Sequence, residues 1–284
     1  MNSPAGATNK KGHLAMRSQT FKLWMLCPVV AAGFLSTAAQ AQQTFRVYGG
    51  LAPTNYSIEF SGSADPRYAN KTGKSSYTAE NIGFSWISPQ RIYADFSYQQ
   101  SMSADHDLWK DAIAPNASKQ DFSNKAFTLT GGYIHVLASG ISITGFGGYR
   151  QAESTLAAPK GAAVPFPPPY NNILWSKDTF QTKGLFLGAG AAIPALAGQF
   201  SVSGALALMG GTWKDDAGFD TKADATVGFS LNGGYTYKFT QAWGVTADLR
   251  YQMYNYGFNQ SSTVAAYDVK EKIASAGLRL SYQF

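Results

Sequence analysis

Between Thr221 and Phe239 the chain alternates apolar and polar residues almost without a break. Ala223, Ala225, Val227, Phe229, Leu231, Tyr235, Tyr237 and Phe239 fall on one face of an extended strand. Lys222, Asp224, Thr226, Ser230, Asn232, Thr236 and Lys238 fall on the other. A period of two belongs to a β-strand with two unlike faces, and it excludes a helix over the same stretch. Val245, Ala247, Leu249, Tyr251 and Met253 oppose Thr246, Asp248, Arg250 and Gln252 in the same way. So do Ile92, Ala94, Phe96 and Tyr98 against Tyr93, Asp95, Ser97 and Gln99, and Phe200, Val202, Leu206 and Leu208 against Ser201 and Ser203. A soluble sandwich alternates too, so the class rests on how these segments are joined.

Ten strands can be drawn, near 44–60, 77–87, 91–104, 123–137, 141–155, 182–193, 200–213, 221–239, 243–258 and 270–284. Short turns join the second to the third, the fourth to the fifth, the sixth to the seventh and the eighth to the ninth. Longer polar loops, at about 61–76, 105–122, 156–181, 214–220 and 259–269, make the other connections. Short turns on one rim and long loops on the other are the pattern of an outer-membrane barrel. Aromatic residues expected near strand ends supply two girdles: Trp86, Phe239 and Trp243 at the short-turn rim, and Trp109, Trp213 and Tyr256 at the other. The last segment, Leu278, Leu280, Tyr282 and Phe284 alternating with Arg279, Ser281 and Gln283, resembles the C-terminal strand by which bacterial outer-membrane barrels are recognised for insertion. The fold expected is therefore all-β: a ten-stranded, up-and-down antiparallel transmembrane β-barrel over 42–284, monomeric, in the outer membrane of a Gram-negative-type bacterium. A strand in lipid has no water for its peptide groups, so the sheet has to close on itself.

The charge balance is consistent with export. The chain carries 23 Lys and Arg against 17 Asp and Glu, a formal charge of +6. Four of the cations, Lys10, Lys11, Arg17 and Lys22, lie in 1–41 with no acidic residue beside them, which leaves 19 basic against 17 acidic side chains. From Met16, a second possible start, the leader has a basic beginning, an apolar run Leu23–Leu35 and small residues ending Ala39-Gln40-Ala41. That is a cleavable secretory signal, too short in its apolar part to span a bilayer, which takes ~18–20 residues. With it goes Cys27, the single cysteine, so no disulfide framework or cysteine-based zinc site is expected. The remaining chain is nearly neutral, and a nucleic-acid partner is not implied.

Nine charged residues fall on the inward face: Arg46, Asp95, Arg150, Lys222, Asp224, Lys238, Asp248, Arg250 and Arg279. They suit an ion-paired, hydrogen-bonded interior that fills the barrel, since an unpartnered buried charge is costly. The other reading is a narrow pore with a basic lining that favours anions. Ten strands lie nearer the filled end of the size range than the channel-forming end. The doublets Gly49-Gly50, Gly131-Gly132, Gly147-Gly148, Gly210-Gly211 and Gly233-Gly234 open no helix and precede no Gly-Lys-Ser/Thr. They read as sites of strand bending with tyrosines such as Tyr133, Tyr149 and Tyr235 laid over exposed backbone.

The loop after the third strand begins Asp105-His106-Asp107-Leu108-Trp109. It resembles the omptins, ten-stranded outer-membrane proteases with an Asp-x-Asp pair at the extracellular top of an early strand. Asp105 and Asp107 match that pair, and the resemblance implies carboxylates and a His-Asp couple that activate water. The loop after the seventh strand, Trp213-Lys214-Asp215-Asp216-Ala217-Gly218-Phe219-Asp220, departs from it by having no histidine. The longest loop contains Pro165-Phe166-Pro167-Pro168-Pro169-Tyr170, which suits a stiff exposed segment or a docking strip. The leading expectation is a non-enzymatic, small porin-like barrel with a largely filled or narrow lumen. An omptin-like endopeptidase and an adhesin or ligand-binding barrel using 105–122 and 156–181 are the alternatives. No catalytic residue, cofactor or metal follows from the leading reading. Its partners are outer-membrane lipid, lipopolysaccharide and the barrel-assembly machinery.

Overall fold

The computed structural model describes residues 43–63, 69–108, 120–157, 164–165, 174–175, 177–216, 220–259 and 266–284. The expected leader and Trp109 lie outside them. Ten long strands carry the fold: β1 Thr44–Ser61, β2 Thr72–Ile87, β3 Ile92–Ser101, β4 Gln120–Val136, β5 Ser142–Ala157, β6 Lys177–Ala195, β7 Gly198–Asp215, β8 Thr226–Lys238, β9 Trp243–Phe258 and β10 Tyr267–Gln283. Each pairs antiparallel with the next, and β1 pairs with both β2 and β10, so the sheet closes into a ten-stranded barrel. The seam pairs on both sides of a break at Ala52 and Pro53 and reaches the chain's last residue, where the Phe284 amide donates to the Phe45 carbonyl at 2.8 Å. Closure leaves no edge strand for lipid to meet. The four short turns fall where the sequence places them. Two need left-handed backbone, at Arg91 (φ 67°) and Leu196 (φ 55°), and a third uses Gly140.

The strands are too long for a bilayer alone. β1 has 18 residues and β6 has 19, against the ~9–11 that a tilted strand needs to cross. The excess forms a second storey, in which the alternation persists but its sign inverts. On β6 the outward row reads Leu185, Leu187, Ala189, Ala191 and Ile193 toward the short turns, with Leu187 73% exposed in the isolated chain. Beyond Leu185 the same row becomes Lys183, Gln181, Thr179 and Lys177. The change recurs around the barrel: Leu51 gives way to Asn55 on β1, Ile82 to Glu80 on β2, Tyr98 to Gln100 on β3 and Phe127 to Lys125 on β4. It continues with Tyr149 to Gln151 on β5, Met253 to Asn255 on β9 and Ala274 to Lys272 on β10. The apolar belt is the part lipid must cover, and it ends at those residues.

The inward rows do the reverse. Below the boundary they carry Arg46, Asp95, Thr128, Thr130, Asp248, Arg250 and Arg279. Above it they carry Tyr56, Ile58, Phe60, Phe122, Leu156, Phe180, Met209, Trp213, Tyr254, Tyr256, Phe258 and Val269, all buried. The upper storey is thus built like a soluble protein, apolar within and polar without. Each fully buried ring or aliphatic side chain there contributes roughly 1.5–3 kcal/mol.

Three expectations are corrected. Trp213 and Tyr256 are not girdle residues; they are 4% and 0% exposed and pack inside the upper storey. The outer aromatic ring at that boundary is Tyr98, Phe127, Tyr149, Phe229 and Tyr251, with Phe127 and Tyr149 centred 5.8 Å apart and Phe229 and Tyr251 5.9 Å apart. Trp86, Phe239 and Trp243 do stand on the outer face at the short-turn end. The eighth strand does not run unbroken from 221. Asp220–Lys222 pairs with Thr212–Lys214 and residues 223–225 bulge before β8 resumes at Thr226. The bulge shifts register by one residue, which swaps the faces, so Lys222 turns outward although Thr226 points in. Glycine placement serves ring packing: Tyr48 lies across Gly83, and Tyr254 across Gly228, where a Cβ would collide with the ring. Tyr235 covers Gly198 in the same fashion. Tyr133 and Tyr149 are not among the rings laid closely over glycine.

Candidate functional site

The inner surface at membrane level is built from the polar row of each strand. β1 presents Arg46 and Tyr48, and β3 presents Asp95 across β2 from them. The Tyr48 phenol donates to Asp95, 3.1 Å from each carboxylate oxygen. The Arg46 and Arg279 guanidinium carbons sit 5.7 and 5.4 Å from the centre of the Tyr48 ring. Arg46 Nε also donates to Ser85 Oγ at 3.1 Å. On the adjoining pair, β9 and β10, Arg279 and Asp248 form an ion pair at 2.9 Å, with the Asp248 side chain 8% exposed. Two carboxylates are therefore held among two arginines and a tyrosine by short, specific contacts, as buried charge requires.

Arg150 on β5 and Arg250 on β9 also point inward. Their cross-strand neighbours are Thr128 and Gly184 for Arg150, and Asn232 and Ser275 for Arg250. Lys238 lies at the short-turn mouth, where its Nζ donates to Gln283 Oε1 at 3.0 Å. Lys222 and Asp224 do not join this group. Both are exposed at the long-loop rim, where Asp224 accepts from Asn259 Nδ2. Leu278, Leu280 and Phe284 are exposed on the outer face of β10, and Tyr282 stacks edge-on between Trp243 and Phe284.

Above the charged layer, Glu271 on β10 is 2% exposed and accepts from the Tyr256 hydroxyl at 3.4 Å. Over it lies a layer of buried aromatic side chains drawn from several strands. Tyr56 of β1 meets Phe122 of β4 with centroids 4.9 Å apart, and Phe180 of β6 meets Tyr256 of β9 at 5.0 Å. Phe60 of β1 meets Trp213 of β7 at 5.1 Å. None of these pairs is between neighbouring strands; each crosses part of the interior. Sequence reasoning missed this layer because it assigned Trp213 and Tyr256 to lipid. The signal was there in the inward row of β9, where Asp248, Arg250 and Gln252 give way to Tyr254, Tyr256 and Phe258.

The rim segment with the omptin-like residues is a short strand, Ala104–His106, paired with β4 and touching β2 at Ser75. Alternation sets its two aspartates and its histidine on opposite faces. Asp105 and Asp107 are exposed, and Asp107 accepts from the Lys74 amide at 2.6 Å. His106 is 6% exposed and points in. Its Nε2 donates to the Ala157 carbonyl at 3.2 Å, while Nδ1 accepts from the Leu108 amide at 3.3 Å. Burial pushes its pKa down to about 4, against the pull of the Ala157 carbonyl and the nearby aspartates. Both ring nitrogens are engaged by backbone, so the ring is fixed and neutral rather than poised as a base. His135 stands on the outer face at the opposite end. Among the described residues no three His, Cys, Asp or Glu side chains group to hold a metal ion.

No protein-family model matches this chain, and no curated protein matches it. Solved structures do. The outer membrane protease OmpT from Escherichia coli superposes with a TM-score of 0.58 at 8% identity, over 88% of this chain and 99% of that one. The translocator domain of the autotransporter NalP from Neisseria meningitidis gives 0.45 at 12% identity, over 84% and 88%. The outer membrane protein OprG from Pseudomonas aeruginosa gives 0.40 at 12% identity, over 86% and 97%. At such identities the OmpT likeness speaks to fold. Together with the closed ring and its lipid-facing belt, it makes the chain a ten-stranded β-barrel of the bacterial outer membrane.

Proposed function

We propose that this is a non-enzymatic outer-membrane barrel whose lumen is closed on the extracellular side by its own aromatic layer. One observation carries the reading: ring contacts of about 5 Å link strands well separated around the barrel, Phe60 to Trp213 and Phe180 to Tyr256. Rings at van der Waals distance leave no water path between them. In this account the charged layer below is an interior filling open toward the periplasm, and the polar storey above the bilayer is what the protein offers outside. Lys125 and Lys183, each next above an apolar belt residue, meet the phosphates of lipopolysaccharide. The outward row Leu278, Leu280, Tyr282 and Phe284 meets the barrel-assembly machinery.

The endopeptidase alternative finds little support in the rim geometry, where Asp105 and Asp107 face away from the ring of His106. The adhesive alternative turns largely on 109–119 and on most of 158–176, outside the described residues. The test is solute uptake. Vesicles carrying refolded protein should swell no faster in a small sugar than empty vesicles. Swelling that scales with protein content would overturn the closed lumen. Incubation with lipopolysaccharide and basic peptides should yield no cleavage, and cleavage abolished by Asp107→Asn would restore the protease.

A further inference from the structure

The outer face of the barrel carries a groove of about 980 Å³ that crosses β8, β9, β10, β1 and β2. That volume falls in the range of small-molecule sites, roughly 300–1,000 Å³. On β8 and β9 its walls are apolar, with Leu231, Leu249 and Tyr251 standing out from the sheet. On β10 the outward residues shrink to Ala274 and Ala276, which keeps the groove open. On β1 and β2 the walls become Asn55, Ser76 and Thr78. The groove therefore climbs from the apolar belt to a polar end above the belt's edge on β2. There Ser76 Oγ donates to Asn55 Oδ1 at 2.8 Å, which leaves the Asn55 amide N–H groups to donate elsewhere. Charge near this end cancels: Lys272 is paired with Glu59, and Lys74 and Glu80 flank the β2 hydroxyls on either side.

A backbone acceptor lies in the groove without its ladder donor. On β1 the peptide groups alternate in direction. The Phe45 carbonyl takes the Phe284 amide on the β10 side, and the Phe60 amide gives to the Lys71 carbonyl on the β2 side. The β1–β2 register is unbroken between them, so odd-numbered residues of β1 turn their peptide groups to β10. Pro53 is one of these and has no N–H to give. The β1–β10 ladder is interrupted there, between the pairs Leu51–Leu278 and Thr54–Ser275. By that register Ala276 faces Pro53, and its carbonyl receives no ladder hydrogen bond from β1. An unmet carbonyl at membrane depth is costly, and a hydroxyl in the groove would meet it.

We infer that this groove binds one long-chain amphipath with an uncharged polyol head, of the monoacylglycerol class, drawn from the outer leaflet. The chain lies along Leu249, Tyr251 and Leu231, a head hydroxyl donates to the Ala276 carbonyl, and head oxygens accept from Asn55 and Thr78. The apolar half is continuous with the belt that lipid already covers, which makes the occupant a lipid chain. The balanced charges at the polar end favour a neutral head over a phosphate. Occupancy is independent of whether the lumen is closed.

The test is native mass spectrometry of the refolded full chain released from zwitterionic micelles, with 1-monopalmitoylglycerol as the probe. The wild type should retain one molecule along a saturable curve. Ala274→Phe and Ala276→Phe fill the groove from a lipid-facing position and should each raise half-saturation by about tenfold or more. Pro53→Ala returns a donor to the Ala276 carbonyl and should raise it by about three- to tenfold, the usual effect of one neutral hydrogen bond. Ala189→Phe, on the outward row of β6 away from the groove, should leave it unchanged. No saturable retention in the wild type, or the same half-saturation in every variant, would overturn the site. Tighter binding of 1-palmitoyl lysophosphatidic acid, which has the same chain and a phosphate head, would overturn the neutral-head assignment. Should a phenylalanine variant fail to refold, Pro53→Ala decides: the rise supports the site, and an unchanged curve refutes it.

Discussion

Phe60 and Trp213 meet inside the upper storey with centroids 5.1 Å apart and ring planes at 85°, although their strands stand four places apart around the ring. An edge-to-face contact between distant strands ties the upper storey together through its interior as well as through its ladder of hydrogen bonds. Removing either ring leaves a cavity that backbone held on both sides by pairing cannot collapse to fill. Phe60→Ala or Trp213→Ala is expected to lower stability by about 3–5 kcal/mol. Urea unfolding in micelles, followed by tryptophan fluorescence for the first and by circular dichroism for the second, reads the loss. A change below about 1 kcal/mol would mean that the rings do not pack as described.

The Asp248–Arg279 pair makes a separate prediction. Arg279→Met strands a carboxylate that is nearly fully buried and should cost about 3–5 kcal/mol. Adding Asp248→Asn removes the orphaned charge, so the double variant should recover most of that loss. Strict additivity of the two substitutions would argue against a direct pair.

Position within the belt is testable with two sites eight residues apart on one strand. Leu187→Arg places a charge against lipid and should cost ~2–4 kcal/mol, whereas Thr179→Arg on the same outward row of β6 stands above the bilayer and should cost under about 1 kcal/mol. Refolding into thin-chain lipid vesicles with urea titration gives both numbers. Equal costs would displace the boundary drawn between Leu185 and Lys183.

His106 sets a pH dependence outside the membrane. Its pKa is lowered by burial from 6.5 to about 4. Above pH 6.5 the folded and unfolded forms are both neutral there, and its full contribution to stability is present. As pH falls from 6.5 toward 4 the unfolded chain takes up the proton first, and stability drops by up to roughly 3 kcal/mol. His106→Gln keeps a donor for the Ala157 carbonyl but cannot titrate, so its stability should fall less between those pH values. Parallel curves for the two proteins would show that the ring is not held neutral.

The barrel was legible because lipid and closure both impose a period of two on every strand, and nothing competes with that signal. Val245 to Met253 against Thr246 to Gln252 gives the facing of β9 directly. What stayed hidden is that alternation alone does not say which face is wet. Across Leu185 and Lys183 the outer solvent changes from hydrocarbon to water, so the same row that must be apolar below must be polar above. The inner row answers in kind, and Trp213 and Tyr256 look like interface aromatics until that inversion is recognised. Lys222 failed for a local reason, since a one-residue bulge between it and Thr226 resets the phase. The arginines of the interior were readable from parity, yet their partners were not: the Tyr48–Asp95 bond depends on the stagger of three strands.

Planar-bilayer recording of the refolded protein tests the closed lumen most directly, with Phe60→Ala/Trp213→Ala as the opened comparison. The wild type should give a silent membrane over several preparations, and the double variant should give discrete current steps. Reproducible unitary conductance in the wild type, unaltered by removing the two rings, would contradict the account.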